Sequence, residues 1–225
     1  MKPSTLIIWD FDGVIADSEH LWVQNWLNAL HKLKHIDLDE AQTELYIRGK
    51  ADKTKVELLH QDFPQLVFDD VFWQTLKINE IQLIETELHL TPGIETVLQD
   101  TSYAHCIATG ATPSKNMLKV KKLGLDKYFN SANTFTAYDV TRGKPAPDLF
   151  LYAAQQMKYA PQNCVVIEDS YVGIQAAVTA KIPVIAYIGA TGNNTPQYAA
   201  KCRALGADYV TSDMRETHEI LKELL

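Results

Sequence analysis

Five short apolar runs constrain the fold most: Leu6–Trp9, His105–Ala108, Val165–Ile167, Val184–Tyr187 and the less apolar Asp208–Val210. Runs of this length are too short for core helices and read as buried strands. Helical patterns fall between and beside the later runs, at Ser114–Leu123, Pro147–Met157, Tyr171–Lys181 and Gln197–Leu205. This alternation predicts a parallel sheet covered on both faces, an α/β core. Gly124, Gly192 and Gly206 punctuate helix ends or loops, and Pro113 and Pro147 suit first helical turns.

Residues 18–88 break the alternation. Glu19–Lys34, Leu38–Ile47, Lys53–Gln61 and Phe68–Glu87 read as helices, with Trp22, Trp26, Leu30 and Leu33 on one face. An α-helical domain, residues 18–88, is therefore expected as an insert after the first strand. The core is expected at residues 1–17 and 89–225, with Thr91-Pro92-Gly93 marking the return and Met214–Leu225 a short amphipathic helix.

With 225 residues, 46% of them hydrophobic and 22% charged, the chain can bury a real core. A net charge of −7 argues against a nucleic-acid partner, so an anionic substrate would need local positive charge or a metal. Cys106, Cys164 and Cys202 form an odd set that reads as reduced thiols in packing roles. No stretch approaches the ~20 apolar residues of a membrane helix, and Leu6–Trp9 is too short for a signal segment. The expectation is a cytoplasmic chain with no membrane contact. A monomer is expected because no second large apolar face is evident.

Chemistry-bearing residues gather where the predicted strands end, which in open α/β sheets is the ligand crevice. Asp10 and Asp12 follow Leu6–Trp9, and period-two geometry would project both from one side of an extended chain. Two such carboxylates repel unless a cation or a shared proton intervenes. The pair therefore points to a hard metal ion, and to a split between a nucleophile and an acid/base. Gly13 lets the backbone turn beside a ligand. Thr109-Gly110 offers a hydroxyl and backbone N–H groups to phosphate oxygens, or simply a loop before the next helix. Lys144, between Gly143 and Pro145, is an ammonium on a stiff segment, or a solvated lysine before a helix. Glu168-Asp169-Ser170 combines oxygen ligands of the kind Mg²⁺ takes with a helix cap.

In this order the motifs resemble those of the haloacid dehalogenase superfamily: Asp10-Phe-Asp12-Gly13, Thr109, Lys144 and Glu168-Asp169. Asp17-Ser18-Glu19, Thr91-Pro92-Gly93 and Gly143–Asp148 resemble the subgroup with a helical cap inserted after the first motif, which includes β-phosphoglucomutase and phosphoglycolate phosphatase. The resemblance implies a Rossmann-like parallel sheet with an α-helical cap domain. It implies Asp10 as nucleophile and Mg²⁺ ligand, and Asp12 as general acid/base with its carbonyl on the metal. Thr109, beside the Gly110 backbone read above, would bind the transferring phosphoryl group, and Lys144 would bridge Asp10 and phosphate. Asp169 would complete the metal site, with Glu168 as a direct or indirect ligand.

The expected function is a Mg²⁺-dependent phosphatase of a small phosphorylated metabolite, a sugar phosphate or related acid, acting through an aspartyl phosphate. Dehalogenation is disfavoured, because that branch lacks the second aspartate and needs no metal. A mutase is the alternative. Its cap resembles Lys-Gly followed by arginine three residues later, whereas here Arg48-Gly49 leads to Asp52, and Trp22 stands where the mutase carries histidine. Arg48 and Lys50 are candidate contacts to a polar or anionic leaving group, or solvated loop charges. Non-enzymatic alternatives are a phospho-receiver, which is about half this length and lacks the insert, and an inactive binding domain.

Overall fold

Leu6, Ile7, Ile8 and Trp9 are all fully buried, which requires that both faces of their strand be covered. The computed structural model, which describes residues 3–50 and 52–224, shows how. Residues 1, 2, 51 and 225, which fall within the expected domain ranges and the expected C-terminal helix, lie outside the described set. The chain divides into two compact units, one of them Ser18–Leu88 and the other the residues on either side.

The larger unit carries β1 (Thr5–Trp9), β2 (Tyr103–Thr109), β3 (Thr134–Thr136), β4 (Cys164–Glu168), β5 (Val184–Tyr187) and β6 (Tyr209–Thr211). They form one sheet in the order β3-β2-β1-β4-β5-β6, and every pairing is parallel. This is the Rossmann-like order, in which the chain leaves β1 for one side and later returns to the other. The switch point lies between β1 and β4, and Trp9 there is paired with both Ile107 and Ile167.

The helices of the smaller unit are α1 (Glu19–Ala29), α2 (Glu40–Tyr46), α3 (Asp52–Asp62) and α4 (Asp70–Thr86). No strand occurs in this unit among the described residues. Its core is aromatic, with Trp26 edge-on to Phe72 at 5.3 Å and Phe68 edge-on to Phe72 at 4.9 Å. In the larger unit follow α5 (Ile94–Leu98), α6 (Pro113–Lys122), α7 (Asp148–Met157), α8 (Tyr171–Ala180), α9 (Pro196–Ala204) and α10 (Met214–Glu223). Ala176, Ala177 and Ala180 of α8 and Leu149, Phe150 and Ala153 of α7 pack on Leu6, Ile8, Cys106 and Val166 of the sheet.

Four local features depart from the sequence reading. The first helix ends at Ala29 and continues as a π-helical stretch, Leu30–Lys34, closed by His35 in the left-handed conformation at φ 55°. The three-residue edge strand β3 and the five-residue α5 were not expected, because neither is long enough to show a period. Pro147 stands one residue before the first helical residue of α7, Asp148, with its carbonyl accepting from Leu151 N–H at 3.1 Å.

Candidate active site

The extended chain stops at Trp9. One further ladder bond, from Asp10 N–H to the Ile167 carbonyl at 2.9 Å, carries it past the sheet edge. It then turns over the Phe11 carbonyl, which accepts from the N–H groups of Val14, Ile15 and Ala16 at 3.4, 3.0 and 3.1 Å. Period-two geometry therefore does not relate the two aspartates; this turn does. It takes them to different counter-ions. Lys144 Nζ donates to Asp10 Oδ1 at 2.5 Å, whereas Lys119 Nζ donates to Asp12 Oδ2 at 2.6 Å.

Lys144 also donates to Glu168 Oε2 at 2.7 Å, and its ammonium lies 4.9 Å from the centre of the Phe150 ring. Its loop is braced at both ends. Ala146 N–H donates to the Gly143 carbonyl at 3.0 Å, and Arg142 grips Asp148 with two hydrogen bonds of 3.1 and 2.8 Å. The Lys144-Pro145 peptide is cis. Lys144 is thus a fixed, largely buried charge rather than a solvated one.

Glu168 ends β4, and its other oxygen, Oε1, accepts from Ser170 N–H at 2.9 Å and from Ser170 Oγ at 2.8 Å. Ser170 Oγ also accepts from Gly173 N–H at 3.1 Å, capping α8. The side-chain amide of Asn193 donates to Asp169 Oδ2 at 3.2 Å, and the Tyr198 hydroxyl donates to the Asp169 carbonyl at 2.8 Å. Tyr198 is in turn stacked on Tyr171, with ring centres 4.3 Å apart. Two glycines make room for these acids. A Cβ at Gly13, which has φ +83°, would overlap the Asp169 carboxylate, and one at Gly173 would overlap that of Glu168.

Asp10, Glu168 and Asp169, all buried, each offer an oxygen within 4.8 Å of the others. Burial pushes the Asp10 carboxyl up to about 7; Lys144 pulls it down, and Glu168 and Asp12 push it further up. Burial alone would lower Lys144, but Asp10 and Glu168 outweigh it and hold the ammonium above its ordinary range. Lys144 thus pairs with two of these three carboxylates, and a divalent cation would offset the remaining charge. The donors are all hard oxygens, so the residues fit Mg²⁺.

Thr109 ends β2, almost fully buried, with its hydroxyl oxygen accepting from Ala111 N–H at 3.2 Å; Gly110 beside it is exposed. In the helical unit, Arg48 pairs with Glu40 at 3.1 Å and Glu44 at 3.0 Å, and Lys50 donates to the carbonyls of Glu44 and Arg48 at 2.7 and 3.1 Å. Two contributors escaped the sequence reading. Lys119 is one of four lysines in α6, and Asn193 sits in a loop without a strand-end position to mark it.

A family model described as haloacid dehalogenase-like hydrolase matches residues 5–181. The chain is 39% identical to the fructose-1-phosphate phosphatase YqaB of Escherichia coli (strain K12), over 80% of this chain and 94% of that protein. It is 27% identical to the β-phosphoglucomutase of Bacillus subtilis (strain 168), over 97% of this chain and 92% of that one. Among solved structures, a HAD family hydrolase of Deinococcus radiodurans with bound phosphate and sodium superposes with a TM-score of 0.77. It is 26% identical, with 100% of this chain and 97% of that one covered.

Proposed function

This chain belongs to the haloacid dehalogenase-like hydrolases, and we propose that within them it is a Mg²⁺-dependent phosphatase of a small phosphorylated sugar or sugar acid. One observation carries the reading. Asp10, Lys144, Glu168 and Asp169 converge beyond the carboxyl ends of β1 and β4, at the switch point of the sheet. Asp10, Glu168 and Asp169, with the backbone carbonyl of Asp12, would hold Mg²⁺, which would supply positive charge to the phosphoryl oxygens. Lys144 keeps the Asp10 oxygen in place and adds its charge to the same oxygens, and Thr109 and Gly110 receive the phosphoryl group.

An Asp10 oxygen attacks phosphorus, the ester P–O bond breaks, and Asp12 gives a proton to the departing oxygen. In the second half Asp12 takes a proton from water as that water attacks phosphorus. The aspartyl P–O bond breaks, and phosphate and free Asp10 are restored. Charge neutralisation and in-line placement carry most of such a reaction, which has a loose, highly charged transition state.

The phosphatase is favoured over the mutase by Asp52, which stands where the mutase pattern has arginine. Its Oδ1 accepts from the Trp26 indole at 3.0 Å and from Lys55 at 3.0 Å, so it belongs to the packing of the helical unit. Arg48 and Lys50 remain the candidates for a polar leaving group. The test is phosphate release from a panel of sugar phosphates, phosphoglycolate and nucleotides, with and without Mg²⁺. Release is expected with Mg²⁺, absent with a chelator and abolished in Asp10→Asn. Interconversion of β-glucose 1-phosphate and glucose 6-phosphate without phosphate release would establish the mutase instead.

A further inference from the structure

The second aspartate of the pair has a lysine of its own. Lys119 is 0% exposed, and its ammonium is 2.6 Å from Asp12 Oδ2 and 4.2 Å from the centre of the Phe11 ring. A lysine this buried costs several kcal/mol unless its charge is met in place. On the same face of α6, one turn earlier, Asn116 is also 0% exposed, and neither its Nδ2 nor its Oδ1 has a hydrogen-bond partner among the described residues. Buried polar groups left in this state weaken the fold. Local sacrifices of that kind gather at sites kept for function.

From this geometry we infer that Lys119 is a positioning residue for Asp12. The Lys119 contact fixes the side-chain rotamer of Asp12 in both protonation states, the ammonium donating to Oδ2 whether or not the carboxyl carries the proton, and the Phe11 ring holds that ammonium. Asp10 and Asp12 are thereby held by separate lysines on separate elements. Lys144 comes from the loop before α7 and Lys119 from the middle of α6, so the acid/base does not compete with the nucleophile for one cation. The inference rests on the phosphatase reading, in which Asp12 moves the proton.

The test compares Lys119→Met in the wild-type and Asp12→Asn backgrounds, using glucose 6-phosphate and 2,4-dinitrophenyl phosphate as probes. A dinitrophenolate leaves without a proton; a sugar alkoxide does not. Lys119→Met is expected to lower kcat on glucose 6-phosphate roughly 10- to 100-fold, with KM little changed. The pre-steady-state burst of dinitrophenolate should stay within about three-fold of wild type. In the Asp12→Asn background the same substitution should cost less than about three-fold more. Equal losses on both probes, or a full additive loss in Asp12→Asn, would overturn the inference. Lys119→Gln replaces Lys119→Met if the latter lacks a cooperative melt. If the native chain releases phosphate from no ester, the hydrolase reading fails, and the positioning claim is then read from the side-chain carboxyl ¹³C resonance of Asp12, assigned by its loss in Asp12→Asn. A resonance unmoved by Lys119→Met overturns it; a shifted, motionally averaged one upholds it.

Discussion

Gly173 shows how a single missing methyl group can carry the site. In an ordinary helix, replacing glycine with alanine stabilises by about 0.5–1 kcal/mol. Gly173 lies in the first turn of α8, and the space of its absent Cβ is filled by the carboxylate of Glu168. That carboxylate cannot easily swing aside, since Ser170 holds one oxygen and Lys144 the other. Gly173→Ala is therefore expected to reverse the usual sign and destabilise by about 1–3 kcal/mol, the range for overpacking. It should also raise the Mg²⁺ concentration needed for half-maximal turnover. Urea unfolding checks the first point, and a raised midpoint would refute the packing argument. At this scale the sequence was legible where a residue follows a strand. Asp10, Thr109, Glu168 and Asp169 announce themselves through the apolar runs before them. Lys119 does not, because its burial is a tertiary fact, and Lys115, Lys121 and Lys122 beside it look identical in the sequence. Asn193 is hidden for the same reason, since nothing local in Gly192-Asn193-Asn194 shows that it meets Asp169.

Elements differ in legibility by how many of their faces are buried. β1, β4 and β5 are covered on both sides and read as continuous apolar runs. β3 is a three-residue edge strand, Thr-Phe-Thr, paired with β2; its pairing, not its composition, makes it a strand. The C-terminal α10 reads from its amphipathic period, but its docking does not. His218 Nε2 donates to Asp100 Oδ2 at 2.8 Å, joining α10 to the segment after α5. The His218 hydrogen bond, helped by Ser102 N–H, holds the Asp100 carboxyl down at about 2. A carboxyl lower in the folded than in the unfolded chain stabilises above its unfolded value, near ~3.9, and loses that contribution as pH falls through its folded value. Asp100→Asn should therefore melt below the wild type at pH 7. The gap should narrow steadily as the pH is lowered from about 5 towards 2. A gap constant across that window would show that the contact contributes by packing alone.

At the scale of the whole molecule, the proposed metal site couples the stability of the larger unit to protons. The carboxylates of Asp10, Glu168 and Asp169 come from two strand ends 158 positions apart or more in the chain, counted from Asp10 to Glu168, so an unfolded chain presents no such set. A ligand that binds only the folded chain stabilises it by about 2.7 kcal/mol at a hundred times its Kd. In a protein of this length that is a rise in Tm of roughly 5–11 °C. The acid to be displaced of its proton is Asp10, held at about 7 by burial before any cation arrives. Below that value a cation must compete with the proton, and above it the carboxylate is already ionised. The melting shift produced by a fixed, moderate Mg²⁺ concentration should thus be larger at pH 8 than at pH 5.5, and it should largely vanish in Asp169→Asn at both values. The acid limb of the turnover profile should move down as Mg²⁺ is raised, because a bound cation favours the ionised carboxylate. A shift in Tm independent of pH, or one that survives Asp169→Asn unchanged, would place Mg²⁺ elsewhere on the molecule and detach the buried acids from the chemistry assigned to them.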